Sequence, residues 1–173
     1  ILEDTAPEGR LQLLGAGVRG LDAVWFPHLS AAHVHGIDDL RVFSVGREEL
    51  GAWVGAEYRE RMARYFDYIF DDGYEPLEGS SKPRVRLHDV APDEPQAILG
   101  RTFHPVVVPH GLVNVYGFRV GGLGYVTDGK SLPDAARATL EGVDVLVLNA
   151  LWFGRVHPPH FNVEEAVEAA RSV

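Results

Sequence analysis

A layered α/β sandwich is the fold class this sequence predicts, and three observations predict it. Strand-like and helix-like segments alternate over the first half. A run of strands then extends from Arg84 to Thr127, and a helix, a strand and a last helix close the chain. The 173 residues suit one domain, 1–173, with a real core. Hydrophobic residues make up 46% and charged residues 24%, ordinary values for a globular protein.

Residues 1–4 form a short strand in which Glu3 is the odd polar member. Pro7 opens a helical pattern with Leu11, Leu13, Leu14 and Val18 apolar and Gly20 as its stop. Residues 21–26 are a mostly apolar strand ending at Pro27, before a stretch of His and small residues. A short helix is expected over 36–43. The strongest helix is expected over 57–70, where Tyr58, Met62, Tyr65, Phe66 and Ile69 recur at helical spacing. Residues 71–83 read as a loop. Strands follow at 85–90, 102–108, 113–120 and 123–127, with Gly117, Gly121 and Gly122 marking turns or bulges. A helix over 133–140 starts with Pro133, and 143–148 reads as a buried strand. Asn162 caps a last helix over 163–172, with Glu164 and Glu165 in its first turn.

Composition excludes several functions. The formal charge is −9, which opposes nucleic-acid binding, while a small phosphorylated substrate remains compatible because a metal reverses the local field. No apolar run reaches membrane-span length, so no membrane partner is expected. With no cysteine, disulfides, thiolate zinc sites and Cys nucleophiles are ruled out, and any transition metal must use His and carboxylate. No signal peptide is visible, Ile1 reads as a cut or processed end, and a cytoplasmic location is the expectation.

The polar residues fall in a pattern. His28 and His33 follow the strand at 21–26, His110 follows 102–108, His157 and His160 follow 143–148, and Asp128 follows 123–127. Ligands of open α/β sheets sit beyond the carboxyl ends of strands. Imidazole nitrogens with a carboxylate suit zinc, manganese or iron, and such a metal makes a nucleophile of water near neutral pH. Scattered His residues also cap helices or bond to backbone, and on spacing alone that reading stays open. His35 and His104 are read as structural, and His88 as solvated.

The segment from Leu21 to Leu40, with Pro27-His28-Leu29-Ser30-Ala31-Ala32-His33 at its centre, resembles the strand-loop-helix of metallo-β-lactamase-fold hydrolases. The signature of that family is His-x-His-x-Asp-His. Ile1-Leu-Glu-Asp-Thr-Ala-Pro7 looks like its preceding strand. Phe66-Asp-Tyr-Ile-Phe70, Pro109-His-Gly111, Tyr125-Val-Thr-Asp128, the stretch from Val145 to Leu151, and His157-Pro-Pro-His-Phe161 resemble the phosphoribosyl cyclic phosphodiesterase branch. The match spans nearly the whole chain.

The resemblance implies a four-layer αββα sandwich with metals at one edge. It also implies that the opening hairpin and the last strand, which carries a further ligand His, are missing. By position it makes His28, His33, His110 and Asp128 metal ligands, with Asp128 bridging. His160 becomes general acid or transition-state stabiliser, and His157 its support. Asp4 stands behind the ligands, and Asp39, otherwise a surface charge, is placed to bond a ligand His.

Two substituted positions cut against full activity. Ser30 stands where the second signature His belongs, and Ala32 where the Asp belongs. Pro27 and Ala6 replace the usual Thr and Gly. One ion at most is expected, on His28, His110 and Asp128, and a metal-free state stays open. The expected function is an impaired phosphodiesterase-like metallohydrolase. The alternative is a non-catalytic or engineered scaffold or binding protein derived from one, because the losses fall on metal positions while the surrounding patterns stay intact. A homodimer through an exposed sheet edge is the expected assembly.

Overall fold

The computed structural model describes residues 1–46 and 49–173. They form two compact units, Ile1–Asp89 and Val90–Val173. Together the units hold the two sheets and flanking helices that the sequence predicts. Among the described residues no helix is long and apolar enough to cross a membrane.

The first unit carries a four-stranded sheet in the order β1 (Leu2–Glu3), β2 (Ala23–Phe26), β3 (Leu50–Gly55), β4 (Val85–Val90). β1 and β3 both run parallel to β2, with Glu3 beside Trp25 and Trp25 beside Trp53. All four side chains of β2 are buried, as expected of a central parallel strand. β3 has no counterpart among the sequence expectations. Its glycines at both ends and its length of six residues give a weak period-two signal.

Helix α1 (Gly9–Gly15) is shorter than its pattern. It stops at Gly17 rather than Gly20. There Gly17 takes φ +67°, its N–H bonds Leu14 O, and Val18 N–H bonds Leu13 O, which is the Schellman arrangement. No residue of α1 is fully buried; Leu11 and Leu14 are exposed and Leu13 is half-buried. The 36–43 segment is a 3-10 turn (Ile37–Leu40) joined to α3 (Arg41–Ser44), preceded by α2 (Ala31–Val34).

The long helix expected at 57–70 is broken into a 3-10 turn (Ala56–Tyr58), α4 (Arg59–Tyr65) and α5 (Asp67–Phe70). The break is Phe66, at φ −129° and ψ 51°. Tyr58, Met62 and Ile69 are buried on either side of it, whereas Tyr65 is exposed. His88 is not simply solvated. It stacks on Trp53 at 4.5 Å, and burial, helped by Arg86 and Arg59, pushes its pKa down.

The second unit is a five-stranded sheet, β5 (Gln96–Ile98), β6 (Arg101–His110), β7 (Val113–Val120), β8 (Leu123–Val126), β9 (Val145–Leu148). Neighbours are antiparallel from β5 to β8, and β9 runs parallel to β8. Leu99 (φ 52°) and Gly100 (φ 74°) form the two-residue turn between β5 and β6. Val106, Val108, Val115 and Val126 meet Leu132, Ala136 and Leu140 of the α6 (Asp134–Leu140) region, and Phe161 and Ala166 at the last helix, in one core. β9 is an edge strand and not a buried one: Val145 and Val147 are exposed while Leu146 and Leu148 pack on that core.

Helix α7 (Val163–Ala170) begins with a reciprocal cap. Glu165 N–H donates to Asn162 Oδ1 at 2.8 Å, and Asn162 N–H donates to Glu165 Oε2 at 3.0 Å. Asn162 is itself buried. Asn162→Ala should therefore cost about 1–2 kcal/mol, read as a lower denaturation midpoint at unchanged slope. A loss below a few tenths would show that the cap does not anchor this helix.

Candidate metal centre

The residues singled out from sequence divide between the units. Asp4, His28, Ser30, Ala32, His33 and Asp39 lie in the first, and His110, Asp128, His157 and His160 in the second.

In the first unit the chain leaves β2 at Phe26 and stays buried through Pro27, His28 and Leu29. Ser30 then caps α2 by position, without a side-chain hydrogen bond, and Ala32 sits in its first turn; both are exposed. One helical turn brings His33 back under His28. Their rings are 4.4 Å apart and tilted by 49°. His33 Nδ1 lies 2.8 Å from Asp4 Oδ1. A carboxylate beside a ring nitrogen is the usual support of a metal-binding imidazole.

Asp4 reaches this position from a left-handed backbone, φ 68°. Its N–H bonds Trp25 O, and the next residue is tied to the helix through Thr5 N–H to His33 O at 2.7 Å. Gly36 N–H bonds Thr5 O, and a Cβ at Gly36 would collide with the Ala6 carbonyl. Asp39 instead approaches Arg10 at 3.9 Å. Beside Asp4, both oxygens of Glu3 are sealed from solvent with no hydrogen-bond partner among the described residues. The residue as a whole is only half-buried. Burial, then the Asp4 charge, raises its pKa well above the ordinary carboxyl range, with His33 opposing.

In the second unit His110 is the last residue of β6 rather than lying beyond it, because that strand runs longer than its apolar pattern. Its Nδ1–H donates to Pro159 O at 2.9 Å, since a carbonyl can only accept. Asp128 follows β8 in a left-handed conformation, φ 49°. His110 and Asp128 each offer a ligand atom within 4.8 Å of the other.

His160 stacks edge-on to His110 at 4.5 Å. Its Nδ1 lies 3.5 Å from Asp128 Oδ1 and 3.4 Å from Asn149 Nδ2. His157 is next to it, ring centroids 5.1 Å apart.

Asn149 is the residue that the sequence reading missed. Its Oδ1 accepts from Gly129 N–H at 2.7 Å, which fixes the amide while Nδ2 faces His160. The signal was present, as the first polar residue after the apolar run 145–148. The loops are strapped together by backbone bonds, Lys130 N–H to Pro109 O, Phe161 N–H to Gly129 O and Leu151 N–H to Phe161 O. Lys130 adds a bidentate pair to Glu165 at 2.7–2.8 Å.

Each unit thus presents an imidazole with an oxygen beside Nδ1, His33 next to Asp4 and His110 next to the Pro159 carbonyl, together with a carboxylate residue in a left-handed backbone conformation. This donor set fits a borderline metal such as zinc.

The chain is similar to several known proteins. The chain is 31% identical over 168 residues to an octanoyltransferase of Porphyromonas gingivalis, covering 97% of this chain and 33% of that one. It spans only a third of that relative. A diphosphatase of the PhnP family has a similar structure, with TM-score 0.83 and 31% identity, over 98% of this chain and 63% of that chain. The metallo-β-lactamase-fold protein YhfI of Bacillus subtilis matches in fold, with TM-score 0.76 and 20% identity, over 98% of this chain and 68% of its own. A family model for the beta-lactamase superfamily domain matches residues 1–173 from end to end. The ordered His and Asp motifs thus stand on the α/β fold of that superfamily, and the chain belongs to it as a beta-lactamase superfamily domain.

Proposed function

We propose that the chain is a phosphodiesterase-type metallohydrolase with an impaired centre, in which His110 and Asp128 of the second unit hold a single zinc, manganese or iron ion. The observation that carries the reading is the second-unit cluster, where His110 Nδ1 is locked on Pro159 O and His160 stands between Asp128 and Asn149. The 31% identity to a diphosphatase supports a phosphate-bearing substrate. Most of the octanoyltransferase lies outside the match, so acyl transfer is not carried over.

When bound, the metal supplies Lewis acidity toward a phosphoryl oxygen and acidifies water. The protein's own contribution is proton handling at His160. In the imidazolium, Nδ1–H faces Asp128 Oδ1, and the Nε2 proton is the one passed to a leaving alkoxide. The ring that remains keeps its proton on Nδ1 beside Asp128. In the other neutral tautomer, Nδ1 accepts from Asn149 instead, so every protonation state has a partner.

The substrate class is a small phosphorylated molecule. The net charge of −9 argues against nucleic acid. A second copy pairing at the exposed β9 edge is the assembly we favour.

Protein purified without added metal should hold about one ion per chain by elemental analysis. His110→Ala and Asp128→Ala should each remove it while circular dichroism stays unchanged. A second reading, a non-catalytic scaffold, is favoured by Ser30 and Ala32 at the opening of α2. A metal-free chain whose melting is indifferent to chelator and to added zinc would select it.

A further inference from the structure

We propose that residues 151–156 form a preformed aromatic platform for the flat ring of a nucleoside-type phosphoester, so that the site takes phosphoesters bearing a nucleobase or similar π-ring. The proposal deepens the phosphoesterase reading and rests on it for the phosphate end of the ligand.

The segment Leu151-Trp-Phe-Gly-Arg-Val156 holds its apolar groups in water. Phe153 is 77% exposed and Val156 64%, with Leu151 and Trp152 also exposed. Scattered exposed apolar residues need no explanation, but four in six consecutive positions form a patch.

The patch is also rigidly built. Leu151 N–H bonds Phe161 O, Trp152 O accepts from Val163 N–H, and Arg155 N–H bonds Phe153 O. Trp152 Nε1–H donates to Arg155 O at 2.6 Å, and Gly154, at φ 74°, donates its N–H to Glu164 Oε2 at 2.9 Å. A loop tied at this many points does not fold its aromatics away. Only Gly meets the left-handed turn at 154 without strain.

The platform is continuous with the proposed chemistry. Trp152 stands edge-on to His157 at 5.2 Å, and His157 contacts His160 at 5.1 Å. A chain of ring contacts therefore leads from Trp152 through His157 to the residue assigned the leaving-group proton. His157 Nδ1 is buried there with no partner among the described residues. This arrangement suits a ligand with a stacking ring at one end and phosphate at the other. It does not suit an anionic membrane, which a chain of net charge −9 repels. Base stacking on aromatic side chains tolerates any base, so the platform selects for a ring and not for its sequence identity.

The test is equilibrium binding of AMP, ribose 5-phosphate and adenosine to the full chain supplied with zinc, by calorimetry, with quenching of Trp152 fluorescence as a second readout against Trp152→Phe as blank. AMP should bind about ten-fold more tightly than ribose 5-phosphate. Phe153→Ala should erase that difference and leave ribose 5-phosphate affinity unchanged. Phe153 is exposed, so this variant keeps the fold.

Equal affinity for AMP and ribose 5-phosphate would overturn the platform and leave the phosphate reading standing. Adenosine binding with Phe153-dependent quenching, without ribose 5-phosphate binding, would support the platform and remove the phosphate reading. Binding of none of the three would overturn both.

Discussion

Restoring the two absent donors, Ser30→His together with Ala32→Asp, should raise metal content from about one to about two ions per chain and phosphodiester turnover by about a hundred-fold. The local structure is prepared for both changes. Positions 30 and 32 are exposed at the opening of α2, so larger side chains meet no packed neighbour. Ser30 makes no side-chain cap that the change would lose, and a carboxylate in the first turn of a helix is favoured by the free N–H groups there. His33, one turn away, already carries Asp4 at 2.8 Å on Nδ1. Single replacements should do much less, because a second ion needs both new donors together with His33. Elemental analysis reads the stoichiometry, and hydrolysis of bis(p-nitrophenyl) phosphate reads the rate. Two ions without a gain in rate would place the defect elsewhere, at Pro27 or Ala6. A stoichiometry that stays at one would mean that α2 does not aim these positions at a metal.

The contrast between these positions and the rest shows what a sequence can carry. The cap at Asn162, the strands 85–90 and 113–120, and the loop at 71–83 were legible because each depends on neighbours in the chain. The grouping of His110, Asp128 and His160 was legible through one rule, that ligands gather at the carboxyl ends of strands, although His110 is itself the last residue of its strand. Asn149 escaped because its role is to hold His160, and that contact spans eleven positions.

The single helix over 57–70 failed for a different reason. Tyr58, Met62 and Ile69 keep one helical phase across the break at Phe66, so the buried stripe survives while the backbone does not. The strand at 143–148 was read as buried because a run of Val and Leu broken only by Asp144 looks the same in a central strand and in an edge strand. Its place at the sheet edge is set by the order of the other strands.

Glu3→Leu should stabilise the protein by about 1–3 kcal/mol near neutral pH, the usual cost of a buried polar group left without a partner. Glu3 sits opposite Trp25 in a parallel pair, and both of its oxygens are sealed without a donor among the described residues. Burial and the Asp4 charge raise its pKa, so the folded state holds the proton after the unfolded chain has released it. The sign follows from that. Below the ordinary carboxyl value of 4.5 both states are protonated and Glu3 costs only its missing hydrogen bonds. Above it the unfolded state binds fewer protons than the folded one, so wild-type stability falls as pH rises, until the raised folded pKa is passed. The advantage of Glu3→Leu should therefore widen upward from about pH 4.5 and then level off. Glu3→Gln separates the two causes, since the amide remains an unpaired polar group but does not titrate. Its stability relative to Glu3→Leu should be the same at every pH. Urea midpoints across pH 4–9 measure all three proteins. A wild type that runs parallel to Glu3→Leu over that range would show that Glu3 ionises normally in the folded state, with its carboxylate reached by water.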